Sequence, residues 1–287
     1  MSNIKTIVRG SYDVQKLRIQ MGNRIVANFK AKLGQEASMP ESELGDAEKK
    51  VLDKLRLHYR KITDGIKTFP RQANFKGDEV ISSYTELCLL DQYIELEKQE
   101  AKHFAQLGNV LKEYPIYTEF LEKVKGCGAA MSGVIISEID ISKCKYSSSL
   151  WKYAGLDVAP DGQGRSKKKE HLVEVAYIDK DGKEATRVGI TFNPFLKTKL
   201  VGVLAASFLR CGKDNPYSKA YYDYKNRLEN HPAHKEKTLG HRHNMAMRFC
   251  VKIFLIDLYV AWRTIEGLEV HPSYHEAKLG HVHHASN

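Results

Sequence analysis

The chain has 287 residues, 42% apolar and 28% charged, which suffices for a buried core and excludes a disordered polymer. Lys and Arg number 45 against 35 Asp and Glu, a formal charge of +10 that suits an anionic partner. No apolar run approaches the roughly 20 residues of a membrane span, no apolar leader is present, and five scattered Cys without a CxxC pair argue against a disulfide scaffold. These features predict a cytoplasmic protein with free thiols and no membrane partner.

The first stretch, residues 1–113, reads as a helical arm. Leu17, Met21, Ile25, Phe29 and Leu33 recur every four residues. Val51, Leu55, Ile62 and Ile66 repeat the pattern, and Leu87, Leu90, Ile94, Ala101, Phe104 and Leu111 make a third stripe. Loops about residues 34–46 and 70–78 separate the three. Such thin stripes fit a coiled coil or a local helical bundle, and a coiled coil implies a homodimer or higher oligomer. The third stripe should meet either the Leu17–Leu33 arm or a second subunit, and a dimer is the expectation.

Residues 114–287 read as a second domain. Pro115 to Val124 is predicted to be a helix, followed by Lys125-Gly126-Cys127-Gly128 and an apolar helix from Ala129 to Ser137. Both glycines permit a tight turn at positive φ, and N–H groups beside a helix start attract phosphate. This is the pattern of a helix–hairpin–helix, with Lys125, Gly126, Gly128 and Ser132 as phosphate contacts. Ser147 to Ser149 offer an N-cap for a helix carrying Leu150 to Ala154, which Gly155 ends. A flexible basic loop follows, in which Arg165, Lys167, Lys168 and Lys169 are candidate phosphate contacts. Val173, Val175 and Tyr177, a turn at Asp179–Gly182, then Val188, Ile190 and Phe192 predict a β-hairpin. Helices are expected over Lys197–Arg210, with Leu200, Val203, Leu204 and Phe208 on one face, and over His243–Ile265. Arg242, Arg248 and Lys252 add positive charge near the start of the last one.

Nine of twelve His lie from His231 onward, and His231, His234, His241 and His243 have spacings a zinc site uses, though no recognised motif. Tyr217, Tyr221, Tyr222 and Tyr224 share one segment; stacking on bases is one use, core packing of two of them another. No cofactor is called for, with magnesium and zinc left open.

Residues 126–156 resemble the C-terminal transposase domain of the DEDD insertion-sequence transposases of the one-ten, one-sixteen and nine-oh-two group, relatives of the Piv invertase. The shared features are Gly126 and Gly128, an alanine-rich helix closing on Glu138-Ile139, then Asp140-Ile141-Ser142 and Tyr153-Ala154-Gly155-Leu156. Weaker similarity reaches Lys16–Ile25 and Ala246–Leu258. The resemblance implies a mainly α fold, a helical arm followed by a helix–hairpin–helix domain with an inserted β-hairpin, and a DNA partner, structured RNA being a further one. The family's ribonuclease-H-like domain with four metal-binding carboxylates has no counterpart in this sequence. Its serine nucleophile sits in a Gln-Ser-Gly context, whereas this chain reads Gln163-Gly164-Arg165, and the nearest hydroxyl is Ser166. Ser166 lies between Arg165 and Lys167 but has no base legible beside it. The expectation is therefore a DNA-binding protein without catalysis of its own. The alternatives are an active transposase or recombinase using Ser166, with metal chemistry absent or supplied by a partner chain, and an oligomeric structural protein.

Overall fold

A computed structural model describes residues 2–64, 68–78, 80–234 and 236–272. The chain is mainly helical, with one two-stranded antiparallel hairpin among the described residues. It divides into two compact units: Thr6–Gln106, and the chain from Leu107 onward together with the first residues of the N-terminal helix.

In the first unit, α1 (Ser2–Lys32), α2 (Asp46–Asp64) and α3 (Tyr84–Leu111) supply the core. α1 and α3 run antiparallel. Tyr12 meets Phe104 edge-on at 5.6 Å, Gln15 donates to Glu100 at 2.8 Å, and Lys32 reaches Glu86 at 3.3 Å. Arg18 pairs with Glu100 and donates to the Tyr93 hydroxyl. Met21, Ile25 and Phe29 of α1, Leu52 and Leu55 of α2, and Leu87 and Leu90 of α3 bury each other. The third stripe thus meets helices of its own chain. Leu17, expected in the first stripe, is half exposed, and so is Ala101 on α3. Ile66 lies outside the described residues. α3 starts with a reciprocal cap: Glu86 N–H donates to Ser83 Oγ, and the Glu86 carboxylate accepts from Ser82 and Ser83 N–H.

The second unit is built around α10 (Leu239–Ile265), which packs along α9 (Pro216–Asn230) and also meets α4 (Pro115–Glu119), α6 (Ser147–Tyr153) and α8 (Ala205–Arg210). Phe208, Tyr217 and Phe254 form an aromatic core with centroids 4.6–5.5 Å apart. α5 (Ala129–Glu138) is buried from Met131 onward. The helix expected over Pro115–Val124 is interrupted at Phe120, whose φ of −129° and ψ of −64° leave the helical region. The hairpin pairs β1 (Val173–Ile178) with β2 (Glu184–Gly189), and Gly182 takes the positive φ its turn needs.

The helix expected over Lys197–Arg210 is compound. α7 (Pro194–Thr198) runs into a π-helical turn, Lys199–Leu204, and then into α8. The wider turn changes the phase of the apolar face. Leu200, Leu204 and Phe208 are buried, while Val203, expected beside them, is 44% exposed.

Candidate functional site

The site grows from the residues that end α6. Gly155 adopts φ +64°, and a Cβ there would lie 2.6 Å from Phe192. The bare α-carbon lets the Phe192 ring close over it. Asn193, next in sequence, donates to Glu138 Oε2 at 2.6 Å and to the Tyr153 hydroxyl at 3.1 Å, while its own Oδ1 caps α7 by accepting from Leu196 N–H. Glu138, Tyr153 and Gly155 thereby fix where α7 begins, and so where Lys197 projects.

Between Gly155 and the hairpin lies the basic loop. It is held by backbone hydrogen bonds from Ala159 to Gln163 and from Arg165 to Asp157, and by a bridge between Val158 and Gly164. A single 3₁₀ turn, Lys169–His171, swings His171 inward until only 2% of it is exposed. His171 Nδ1 lies 2.8 Å from Ser166 Oγ and also accepts from the Ser166 N–H at 3.0 Å. That N–H has only a proton to give, so Nδ1 carries the lone pair and Nε2 the hydrogen. Nε2 faces Asp161 Oδ2 at 2.9 Å. The hydrogen bond from His171, ahead of one from Gln163 N–H, holds the Asp161 carboxyl below its usual range. Ser166, His171 and Asp161 thus form a relay in which an ionised carboxylate orients an imidazole whose lone pair faces a partly exposed hydroxyl. This corrects the expectation that Ser166 has no base, and the loop predicted to be flexible is the segment that assembles it.

Cations surround this loop. Arg165 grips Asp157 Oδ2 through Nε and Nη2 at 3.1 and 2.8 Å. Lys197 Nζ donates to the Arg165 carbonyl and lies 4.5 Å from the Phe192 ring centre. Lys252 sits over the Trp151 ring at 5.1 Å. Arg248 rests directly on Gly164: a Cβ there would fall 1.6 Å from its Nη1. Arg248 and Lys252 stand four residues apart on one face of α10. Burial, then Arg248, pushes the Lys197 ammonium down to about 8. Desolvation also lowers Arg248 and Lys252. In this group Asp157 is the carboxylate that acts on Lys197 and Lys252, and its Oδ1 is buried without a hydrogen-bond partner.

Of the residues singled out from sequence, Arg165, Ser166, Arg248 and Lys252 come together here. Lys167, Lys168 and Lys169 are exposed beside them, and the Lys168 N–H donates to Ser166 Oγ. The Gly126 turn has other neighbours. Gly126 takes φ +94° against Phe208 and Cys211, and Asn215 donates to the Lys125 carbonyl at 3.0 Å. Gly128, expected at positive φ, is instead the extended N-cap of α5 with φ −74°. Lys125 and Gly128 are exposed, but Ser132 is fully buried and donates to the Gly128 carbonyl, so its hydroxyl is not available to a phosphate. Arg242 Nη1 donates to the His234 carbonyl, and its position six residues before Arg248 sets it on a different face of α10. The N-cap of α6 is Tyr146 rather than a serine, with Ser149 Oγ accepting from the Tyr146 N–H.

Tyr217 and Tyr221 are buried, Tyr222 is exposed, and Tyr224 stacks on Phe249 at 4.2 Å. Among the described residues no group of three or more His, Cys, Asp or Glu is placed to hold a metal. His275, His281, His283 and His284 lie outside the described residues. No described helix is long and apolar enough to cross a membrane. Compared with protein-family models, curated proteins and solved structures, the chain matches none.

Sequence reasoning missed Asp161, His171 and Lys197. Asp161, Ser166 and His171 stand five residues apart in a loop. Such regular spacing of an acid, a hydroxyl and an imidazole was the only available signal.

Proposed function

We propose that this chain binds nucleic acid, as the resemblance of residues 126–156 to insertion-sequence transposases implies, and that it performs phosphodiester transfer through Ser166. The observation that carries the reading is the Ser166–His171–Asp161 relay set among cations. It favours the catalytic alternative over a purely DNA-binding protein.

In the forward step the Ser166 Oγ–H proton passes to His171 Nδ1 as Oγ attacks phosphorus. The P–O bond to the departing strand breaks, and that oxygen leaves with a proton from the imidazolium. Asp161 stabilises the imidazolium between the two events. A strand hydroxyl then attacks the phosphoserine, its proton passing to His171 Nδ1 and from there to the departing Ser166 Oγ, which restores the serine. Lys167, Lys168 and Lys169 track the backbone beside the serine, and the exposed Lys125 and Gly128 offer a second grip.

The test has two arms. Incubation with a fluorophosphonate probe, read by mass spectrometry, should label Ser166 in the natural chain, and His171→Gln should slow labelling about 100-fold, the lower end for a lost general base. On supercoiled plasmid the natural chain should form a covalent protein–DNA adduct that Ser166→Ala abolishes. Binding to duplex and single strands should weaken steeply with salt, and replacing Lys167, Lys168 and Lys169 by Ala should reduce the slope by up to about three contacts. Salt-dependent binding with an inert Ser166 would return the chain to the class of DNA-binding proteins without chemistry.

A further inference from the structure

We propose that Lys197, Arg248 and Lys252, together with Arg165, form a subsite for one phosphate group beside Ser166. Its role as the seat of the scissile phosphodiester rests on the function proposed above. The binding of a phosphate does not.

Four cations share this half-buried space, and Asp157 is the carboxylate set among them. What holds each cation is informative. Lys197 is anchored by a carbonyl and a ring face, Lys252 by a ring face, and Arg248 by the bare backbone of Gly164. None of these three has a carboxylate within ion-pair distance among the described residues, and only Arg165 does. Rings and carbonyls orient the charges without neutralising them, so donors remain for an arriving anion. Burial first, and then repulsion from Arg248, lowers the affinity of the Lys197 ammonium for its proton. A core that needed only packing would be served by apolar side chains at these positions. The arrangement is stabilised when an anion enters.

The geometry points to phosphate rather than a carboxylate. Donors converge from three directions: the loop (Arg165), α7 (Lys197) and α10 (Arg248, Lys252). A tetrahedral group with several charged oxygens meets such a set, while a flat carboxylate meets a single fork. The Lys197 contact to the Arg165 carbonyl and the Arg248 contact to Gly164 place the cations against the two residues that precede Ser166.

The test titrates the full chain with inorganic phosphate at pH 7, with sodium chloride at equal ionic strength and sodium acetate as controls, by calorimetry. Phosphate should bind one to one with a dissociation constant of about 1 mM or tighter, and acetate at least tenfold more weakly. Arg248→Gln and Lys197→Gln should each weaken phosphate tenfold or more. A measurement on the natural chain needs no variant: acylation of Lys197 by an amine-reactive ester should slow at least fivefold in saturating phosphate, while Lys225, paired with Glu229 on α9, is unaffected. A phosphodiester oligonucleotide should compete with phosphate, and its neutral methylphosphonate analogue should not. This distinguishes a backbone site from one for the free ion. No saturable phosphate binding, binding that both substitutions leave intact, or no protection of Lys197 would overturn the subsite. A chain that binds phosphate while Ser166 stays unlabelled keeps the subsite and loses the nucleophile, and the converse loses only the subsite.

Discussion

Replacing Gly164 by Ala separates the site from the fold that carries it. The Gly164 backbone is not at positive φ, so alanine fits the main chain. Its Cβ, however, would stand 1.6 Å from Arg248 Nη1 and 2.9 Å from Cζ. Ordinary contact needs about 3.5 Å, so the guanidinium must retreat by about 2 Å. For a phosphate charge initially about 4 Å away, at an effective dielectric constant near 20, that retreat costs about 1.4 kcal/mol, or tenfold in affinity. Stability should change by less than about 1 kcal/mol. The group that moves is the free end of a flexible side chain, and the lost glycine freedom favours folding by about 0.4–1 kcal/mol. Phosphate calorimetry and urea unfolding on the same preparation read both quantities. Affinity within twofold of the natural chain at unchanged stability would show that Arg248 does not serve the anion. A stability loss above about 2 kcal/mol would refute the claim that only its free end yields.

Other consequences follow from the same neighbourhood and from the core. Gly155→Ala should destabilise the second unit by about 2–5 kcal/mol in urea, summing about 1–2 for a left-handed backbone and about 1–3 for overpacking against buried Phe192; a loss under 1 kcal/mol would contradict the contact. Because the folded Lys197 is held near 8 and its ordinary value is 10.5, the unfolded chain binds more protons between those values. Folding stability should therefore rise with pH from about 8. Lys197→Gln should flatten the rise, read below pH 9.5 because buried Tyr217, held above its ordinary value by desolvation and Asp257, opposes folding as pH climbs past 10. Thiol titration of the native chain should modify exposed Cys211 quickly and spare Cys127 and Cys250, whose thiols burial pushes up to about 12; rapid reaction of either would show that the core opens.

Periodic features were legible and local hydrogen-bonded ones were not. Met21, Ile25 and Phe29 repeat at helical spacing and are buried as that spacing requires. The Asp179–Gly182 turn announces its hairpin through the glycine that supplies positive φ. Val203 misled because a π-turn breaks the period on which the inference rests. Ser132 misled because its hydroxyl is satisfied by the carbonyl four residues before it, a local bond that no pattern of residue types displays. His171 was overlooked for a related reason. Its inward turn follows from one 3₁₀ step and from the Ser166 N–H, and loops carry no periodicity from which such a step is read. The four cations come from three segments up to 87 positions apart, Arg165 to Lys252, and only the folded chain makes them neighbours.

The π-turn at Lys199–Leu204 sets two halves of one helix under separate control. Its downstream half answers to the aromatic core through Phe208, and its upstream half to the loop that carries Ser166 through Lys197. The wider turn takes up about one residue more than an α turn, so an uninterrupted α ladder of the same length would rotate Lys197 by about 100° relative to Phe208. The bulge therefore works as a phase adjuster. A one-residue deletion that closes the turn to an α ladder would keep Lys197 and the buried Leu196 in their present phase with Phe208. Sequences descended from a common ancestor of this chain should accordingly vary in length at residues 199–204 more readily than in the flanking turns.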